Sequence, residues 1–392
     1  MRRRLSALLL LLSAGGFACR EDRPILFGVV LPLTGPTAIY GEPIGRGIEL
    51  AQIHVQQRYP ELAPRLQLEI EDSGSDPEKA AELADQLYQA GALAIIGGAT
   101  SAEAMAMVPV ADKHDHILLS PSASSPELTG ISTNFLRVFP SDFLEGTKMA
   151  TFAANILNVD SAVILAEKQP YAKGIQEIFQ AEFERHGGKL LEVLEYPPNT
   201  ADFSGLIERV LALEAEAVYL AAYADDIARM IEALRGQGYR GVILTTSAFA
   251  TPEVIEEVGE AAEGVYLTQT LFDPQSEEPA VRMFVEAYRE KYGSPPDLYS
   301  AHGYDAMMVL VEALQKGGRR TPSEFWKGLR GISDYQGVTG PLQFDDRGDV
   351  HKFPRVYVIE AGEISDYEGQ VERRRRELME RLQNLERRQR NQ

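Results

Sequence analysis

The stretch from Leu93 to Thr129 sets the strongest limit on what this chain can fold into. The apolar run Leu93-Ala-Ile-Ile96 ends in Gly97-Gly98, Thr100-Ser101 follow, and Ala104, Met105, Val108 and Ala111 then recur at helical spacing. That order predicts a strand, a tight turn and a helix. A second buried run, Ile117-Leu-Leu119, ends in Ser120-Pro-Ser-Ala-Ser124. Two parallel strands thus deliver two hydroxyl-rich loops to one edge of a sheet, the place where open α/β folds bind ligands.

The same cycle runs through the chain. Leu26 to Leu31 reads as the first strand, Thr34 to Gly41 as the loop after it, and Ile44, Ile48, Ala51 and Val55 as the buried face of a helix. Gly41, Gly45 and Gly47 lack the spacing of a dinucleotide fingerprint. Leu66 to Ile70 is a second strand, and Asp76-Pro77 has the form of an N-cap followed by the first helical residue. The acidic segment Glu71 to Pro77 lacks the twelfth-position glutamate of a calcium loop. Ser141-Asp142 opens another helix, and from Ala162 the strand and helix cycle restarts and continues to Leu267. Repeated βα units predict parallel sheets covered on both faces, and so many strands predict two lobes.

The ends of the chain differ from this body. Arg2, Arg3 and Arg4, the apolar run Leu5 to Leu12 and the small residues before Cys19 form the pattern of an export signal over residues 1–18. Cys19 is the only cysteine. It stands where a bacterial lipoprotein signal places its acylated residue, with residues 19–23 as a tether; the other reading is ordinary cleavage after Ala18, leaving a free thiol. Residues 368–392 are rich in Arg, Glu and Gln, with Val371, Leu378 and Leu385 seven apart. Too few apolar residues occupy the alternate heptad position for a coiled coil, so a solvated helix is expected, with contact to a partner or an anionic surface as the other reading. A net charge of −19 argues against nucleic acid as a partner.

Several stretches carry a resemblance: Val29-Val-Leu-Pro-Leu-Thr-Gly-Pro36, Tyr40-Gly41, Asp76-Pro77, Ser120-Pro121 with Pro126-Glu-Leu-Thr129, Gln169-Pro-Tyr171, Ala221-Ala-Tyr223, Ala262-Glu-Gly264 and Gly340-Pro-Leu-Gln-Phe-Asp345. In wording and order they resemble the leucine/isoleucine/valine-binding protein family of type I periplasmic solute-binding proteins. The resemblance implies an α/β fold of two Rossmann-like lobes with parallel sheets, joined by a three-stranded hinge crossed near Pro140, Thr268 and Phe344. The lobes would then be residues 24–140 plus 268–343 and residues 141–267 plus 344–367. It also implies an amino acid, branched-chain or other, or an amide-like analogue as ligand, and an ABC permease in the inner membrane as partner. No cofactor is implied.

Matched motif by motif, the family's ligand groups fall on Tyr40, Ser101, the Ser122 backbone and Ser124 in the first lobe, and on Tyr171 and Tyr223 in the second. Ser247 takes the place where well-known members carry a glutamate. A zwitterion withdrawn from water needs both charges paired. Ser101, at the head of a helix, suits the carboxylate. A neutral Ser247 cannot balance the ammonium, so Asp225 or Asp226 is the candidate substitute, and Phe249 a candidate apolar wall. Singly, each serine reads equally well as a cap or turn former; it is their joint occurrence that points to a site.

Two other classes compete. An enzyme is disfavoured: the six histidines are scattered, His114-Asp-His116 lacks a third metal ligand nearby, and no nucleophile elbow, phosphate loop or zinc-protease motif occurs. A two-lobed envelope lipoprotein with a sensory or regulatory role is the other alternative, because fold does not decide function.

Overall fold

The computed structural model describes residues 24–390, apart from residues 271, 318–320 and 334. The signal segment, Cys19 and the tether through residue 23 lie outside the described residues.

In the first half, strands β1 (Ile25–Leu31), β2 (Leu66–Asp72), β3 (Ala94–Gly97), β4 (Ile117–Ser120) and β5 (Phe135–Arg137) alternate with helices α1 (Ala38–Arg58), α2 (Pro77–Gln89) and α3 (Ser101–His114). All five strands pair in parallel, in the order β2-β1-β3-β4-β5. Local chemistry starts the helices as the sequence indicates. Asp76 accepts hydrogen bonds from the Glu78 and Lys79 N–H groups, and Thr100 forms a capping box with Glu103. Glu103 is buried and also accepts from the Ser73 hydroxyl at 2.6 Å, which locks the start of α3 to the loop after β2.

After α4 (Asp142–Asn155) the chain builds a second sheet from β6 (Ser161–Glu167), β7 (Lys189–Tyr196), β8 (Ala217–Ala221), β9 (Val242–Thr245) and β10 (Tyr266–Gln269). Helices α5 (Pro170–Arg185), α6 (Ser204–Leu213), α7 (Ala224–Gly236) and α8 (Pro252–Val258) connect them. Helices α9 (Pro279–Tyr292), α10 (Leu298–Gly317) and α11 (Pro322–Arg330) follow, then a small hairpin of β11 (Tyr335–Gly337) and β12 (Gly340–Leu342). Strands β13 (Arg355–Glu360) and β14 (Glu363–Asp366) complete the second sheet, ordered β14-β13-β10-β9-β8-β6-β7.

The expectation of parallel strands fails at one edge of this sheet. β13 runs antiparallel to β10, and β14 antiparallel to β13. The β13–β14 pairing has a local cause: Ala361 and Gly362 both adopt positive φ, 54° and 76°, as a two-residue hairpin turn matched to strand twist requires. Helix α12 (Tyr367–Arg390) carries the basic tail. Its root is fixed by Tyr367, whose ring meets those of Phe152 and Tyr266 at 5.2 and 5.7 Å, whereas Val371 and Leu378 are exposed.

Helix α10 packs directly on α1, backbone to backbone. A methyl group on Gly47 of α1 would lie 1.9 Å from the Ser300 carbonyl oxygen, and one on Gly303 of α10 would lie 2.3 Å from that of Ile44. The glycines that do not make a nucleotide fingerprint therefore include one that permits this close crossing.

A buried ion pair ties a late segment to the loop after β4. Arg137 Nε and Nη2 donate to Asp349 Oδ1 and Oδ2 at 2.7 and 3.0 Å. The same guanidinium donates to the Ser125 carbonyl at 2.9 Å and the Thr129 hydroxyl at 2.6 Å. Arg137 is fully buried. One side chain thus holds the Ser120–Thr129 loop against the chain near Asp349.

Candidate functional site

The loops after β1, β3 and β4 of the first sheet face those after β6, β8 and β9 of the second. Between them lies a cavity of about 30 Å³, lined by Tyr40, Ala99, Thr100, Ser101, Ser122, Ser124, Phe139, Tyr171, Tyr223, Ser247, Ala248 and Tyr299. All seven residues singled out in the sequence are among them. Four of the lining residues are tyrosines, Tyr40, Tyr171, Tyr223 and Tyr299.

The serines stitch the first side together. Ser122 Oγ donates to the Ala99 carbonyl at 2.6 Å, Ser120 Oγ to that of Gly98 at 2.7 Å, and Ser101 Oγ accepts from the Ser125 N–H at 3.1 Å. Ser101 is the first residue of α3, so the helix start opens onto the cavity. Tyr40 lies in the first turn of α1 rather than in the loop before it. Its hydroxyl donates to the Ala248 carbonyl at 3.1 Å and accepts from the Ala224 N–H at 2.8 Å, so it bridges to the loops of the second sheet.

Three further tyrosines close the aromatic wall. Tyr171 and Tyr223 stack at 5.5 Å, and Tyr40 sits 4.8 Å from Tyr299. Tyr171 Oη donates to Thr246 Oγ1 at 2.7 Å and Tyr299 Oη to the Ser247 carbonyl at 3.0 Å. The Tyr223 hydroxyl is buried without a hydrogen-bond partner.

Behind this wall stand two carboxylates that the sequence reading passed over. Glu145, on α4, accepts from the Ser247 N–H at 2.6 Å, the Ser247 hydroxyl at 2.9 Å and the Thr268 hydroxyl at 2.9 Å. Asp142, one turn earlier, is buried, with the Ser124 side chain and the Arg137 charge acting against the cost of that burial. Its own N–H donates to the Ser124 carbonyl at 2.8 Å.

Residues 24–364 match the family model described as periplasmic binding protein. The chain belongs to the periplasmic binding protein family. Among curated relatives, the leucine-, isoleucine-, valine-, threonine- and alanine-binding protein of Pseudomonas aeruginosa is 23% identical over 353 residues, covering 89% of this chain and 94% of that one. The solved leucine binding protein LivK from Thermotoga maritima has a TM-score of 0.82 and 29% identity, with 87% of this chain and 97% of that chain covered. LivJ from Streptococcus pneumoniae, solved in complex with isoleucine, has a TM-score of 0.81 and 23% identity over 87% of this chain and 98% of its own. The two-sheet α/β architecture of this periplasmic binding protein is the type I fold that the sequence resemblance implies.

The geometry corrects two expectations. Asp225 and Asp226 do not line the cavity of the binding protein. Asp226 pairs with Arg229 at 3.2 Å, on the same helix. Phe249 is fully buried and does not line it either; Phe139 and Tyr299 supply the apolar surface. As for metals, His114 pairs with Asp85 at 2.6 Å, His116 bonds the His114 carbonyl, and no group of three ligating side chains occurs among the described residues.

Electrostatics single out Glu145. Burial pushes its carboxyl up to about 7, against the opposing hydrogen bonds from Ser247 and Thr268. Burial, and then the proximity of Glu145, raise Asp142 well above the carboxylate range. A carboxyl raised from 4.5 in the unfolded chain keeps its proton in the native state while the unfolded state releases it. Stability therefore falls as pH rises from about 4.5 to 7, by on the order of 3 kcal/mol for Glu145, and levels off above. Urea unfolding of the ligand-free protein at pH 5 and pH 8 checks this: Glu145→Gln should flatten the difference, and an unchanged slope in that variant would refute the assignment.

Proposed function

We propose that this periplasmic binding protein is the extracytoplasmic solute-binding component of an ABC importer, closing two lobes around an amino acid or a related small polar ligand. The observation that carries the reading is the convergence of hydroxyls and aromatic rings from both sheets on one cavity. Ser101, Ser122 and Ser124, with the start of α3, would hold the ligand carboxylate, since a helix N-terminus supplies free donors and a favourable dipole. Tyr40, Tyr171, Tyr223 and Ser247 would complete the enclosure. The lobes would be residues 24–140 plus 268–343 and residues 141–267 plus 344–367, swinging on the segments between them. An inner-membrane permease would recognise the closed form, so that binding energy selects the shape that is delivered.

We also place the mature protein on the membrane through acylation of Cys19, the sole cysteine. One experiment reaches both proposals. Intact and native mass spectrometry of the full chain, purified from the envelope of a lipoprotein-processing bacterial host, should show a mature mass carrying a diacylglycerol adduct and a co-purifying small molecule. Thermal unfolding should then rise with that molecule, because a ligand specific to the native state stabilises it. No thermal response to any amino acid, amide or small carboxylate would overturn the solute-binding reading, and an unmodified Cys19 would overturn the anchor.

A further inference from the structure

The tail helix reverses the charge of the chain that carries it. The whole sequence holds 58 acidic and 39 basic residues, whereas from Val371 onward eight arginines stand against four glutamates. The acids at the root of α12 are spent on the body: Glu368 pairs with Lys148 at 2.5 Å and with Arg355 at 3.8 Å, and Glu372 with Arg355 at 3.7 Å. The arginines that follow, Arg373 to Arg376, are exposed, and none pairs with another side chain among the described residues.

The apolar residues of the helix form a narrow stripe. Val371, Leu378, Leu382 and Leu385 are spaced seven, four and three apart, so they share one face of the helix Tyr367–Arg390. Val371 is 47% exposed and Leu378 58%, so the body of the protein does not cover that face where it begins. Arg374, Arg381 and Arg388 each come three residues after a member of the stripe and run along its flank, while Glu377 and Glu380 fall on the opposite half of the helix.

A second copy of the helix is a poor cover for this stripe. In a two-helix seam the alternate heptad positions would be Glu368, Arg375, Leu382 and Gln389, so Arg375 would be buried against its own copy. At a lipid headgroup boundary the same arginine runs its stem along apolar surface and keeps its guanidinium in water. A layer of phosphates also supplies the negative charge that the free arginines lack.

We propose that α12 lies along an anionic phospholipid surface of the membrane that borders the periplasm, with Val371, Leu378, Leu382 and Leu385 sunk between headgroups and the flanking arginines on their phosphates. The rest of the molecule is acidic and is repelled from such a surface, so the helix is the part that can approach it. No residue separates α12 from β14, so docking holds the edge of the second sheet beside the bilayer. The proposal requires neither a ligand in the cleft nor a lipid on Cys19.

The test is protease protection of the mature full chain on two kinds of vesicle, one of pure phosphatidylcholine and one of phosphatidylcholine and phosphatidylglycerol in equal parts. An acyl chain on Cys19 would enter both alike, so the comparison isolates the tail. Trypsin cutting among Arg373 to Arg376 is read from the loss of the C-terminal peptide by mass. The cut should be about 10-fold slower or more on the anionic vesicles, and about 0.5 M NaCl should restore the faster rate, since salt shortens the reach of surface charge. Leu378→Gln with Leu385→Gln keeps every cleavage site and the helix propensity, and should abolish the protection. Equal cutting on the two vesicles, or protection that survives both the salt and the double variant, would overturn the proposal. Protection without vesicles that grows with protein concentration would assign the stripe to a second copy and overturn it equally.

Discussion

Gly47→Ala should destabilise this protein by about 3 kcal/mol or more, although alanine is by itself the better helix former by about 1 kcal/mol. The added methyl would lie 1.9 Å from the Ser300 carbonyl oxygen and 2.8 Å from the Tyr304 nitrogen. Both are backbone atoms of α10, so no side-chain rotation relieves the contact, and the two helices must separate. Such a separation is not confined to the crossing. Tyr40 stands at the head of α1 and Tyr299 at the head of α10, their rings 4.8 Å apart across the cavity wall. The variant should therefore lose ligand affinity along with stability. Urea unfolding followed by circular dichroism decides the matter; a midpoint within error of the wild type would mean that the helices tolerate wider spacing.

Arg137→Ala is expected to cost about 3 to 5 kcal/mol, because it leaves the Asp349 carboxylate buried without its partner. The loss has a second part. The guanidinium also holds the carbonyl of Ser125 and the hydroxyl of Thr129, so the serine loop that lines the cavity loses its anchor. Replacing the whole pair, as Arg137→Met with Asp349→Leu, should recover most of the stability, since two apolar side chains leave no charge unpaired. That recovery separates the ion pair from mere packing volume. An Arg137→Ala protein unfolding at the wild-type urea concentration would show that the pair carries little net energy.

Much of this arrangement was readable in the chain. The β3 and β4 loops announce themselves because hydroxyl residues stand directly after short apolar runs, and backbone rules leave few ways to place them. Asp76 and Pro77 are equally local, and the cap forms as their chemistry dictates. What escaped notice is instructive. Asp142 follows a capping serine and Glu145 lies in the same first turn, so both are fully explained as ordinary helix-start acids. Nothing nearby in sequence reports that β9 and β10 will cover them, since Ser247 and Thr268 come more than a hundred residues later. Tyr299 hides for the same reason, inside a helix that reads as uniform core. The antiparallel edge is different: Ala361-Gly362 is a weak hairpin signal and β14, Glu363-Ile-Ser-Asp366, is largely polar, so the repeating βα pattern suggested only parallel pairing.

Tyr40 gives the molecule a latch. Its hydroxyl is gripped by two backbone groups on the opposite side of the cleft, the Ala224 N–H and the Ala248 carbonyl. Both grips come from a single side chain whose ring is wedged among its neighbours Tyr223 and Tyr299. Together with Tyr299, whose hydroxyl holds the Ser247 carbonyl, Tyr40 makes the contact between the two sheets a matter of a few phenols rather than of a broad apolar seam.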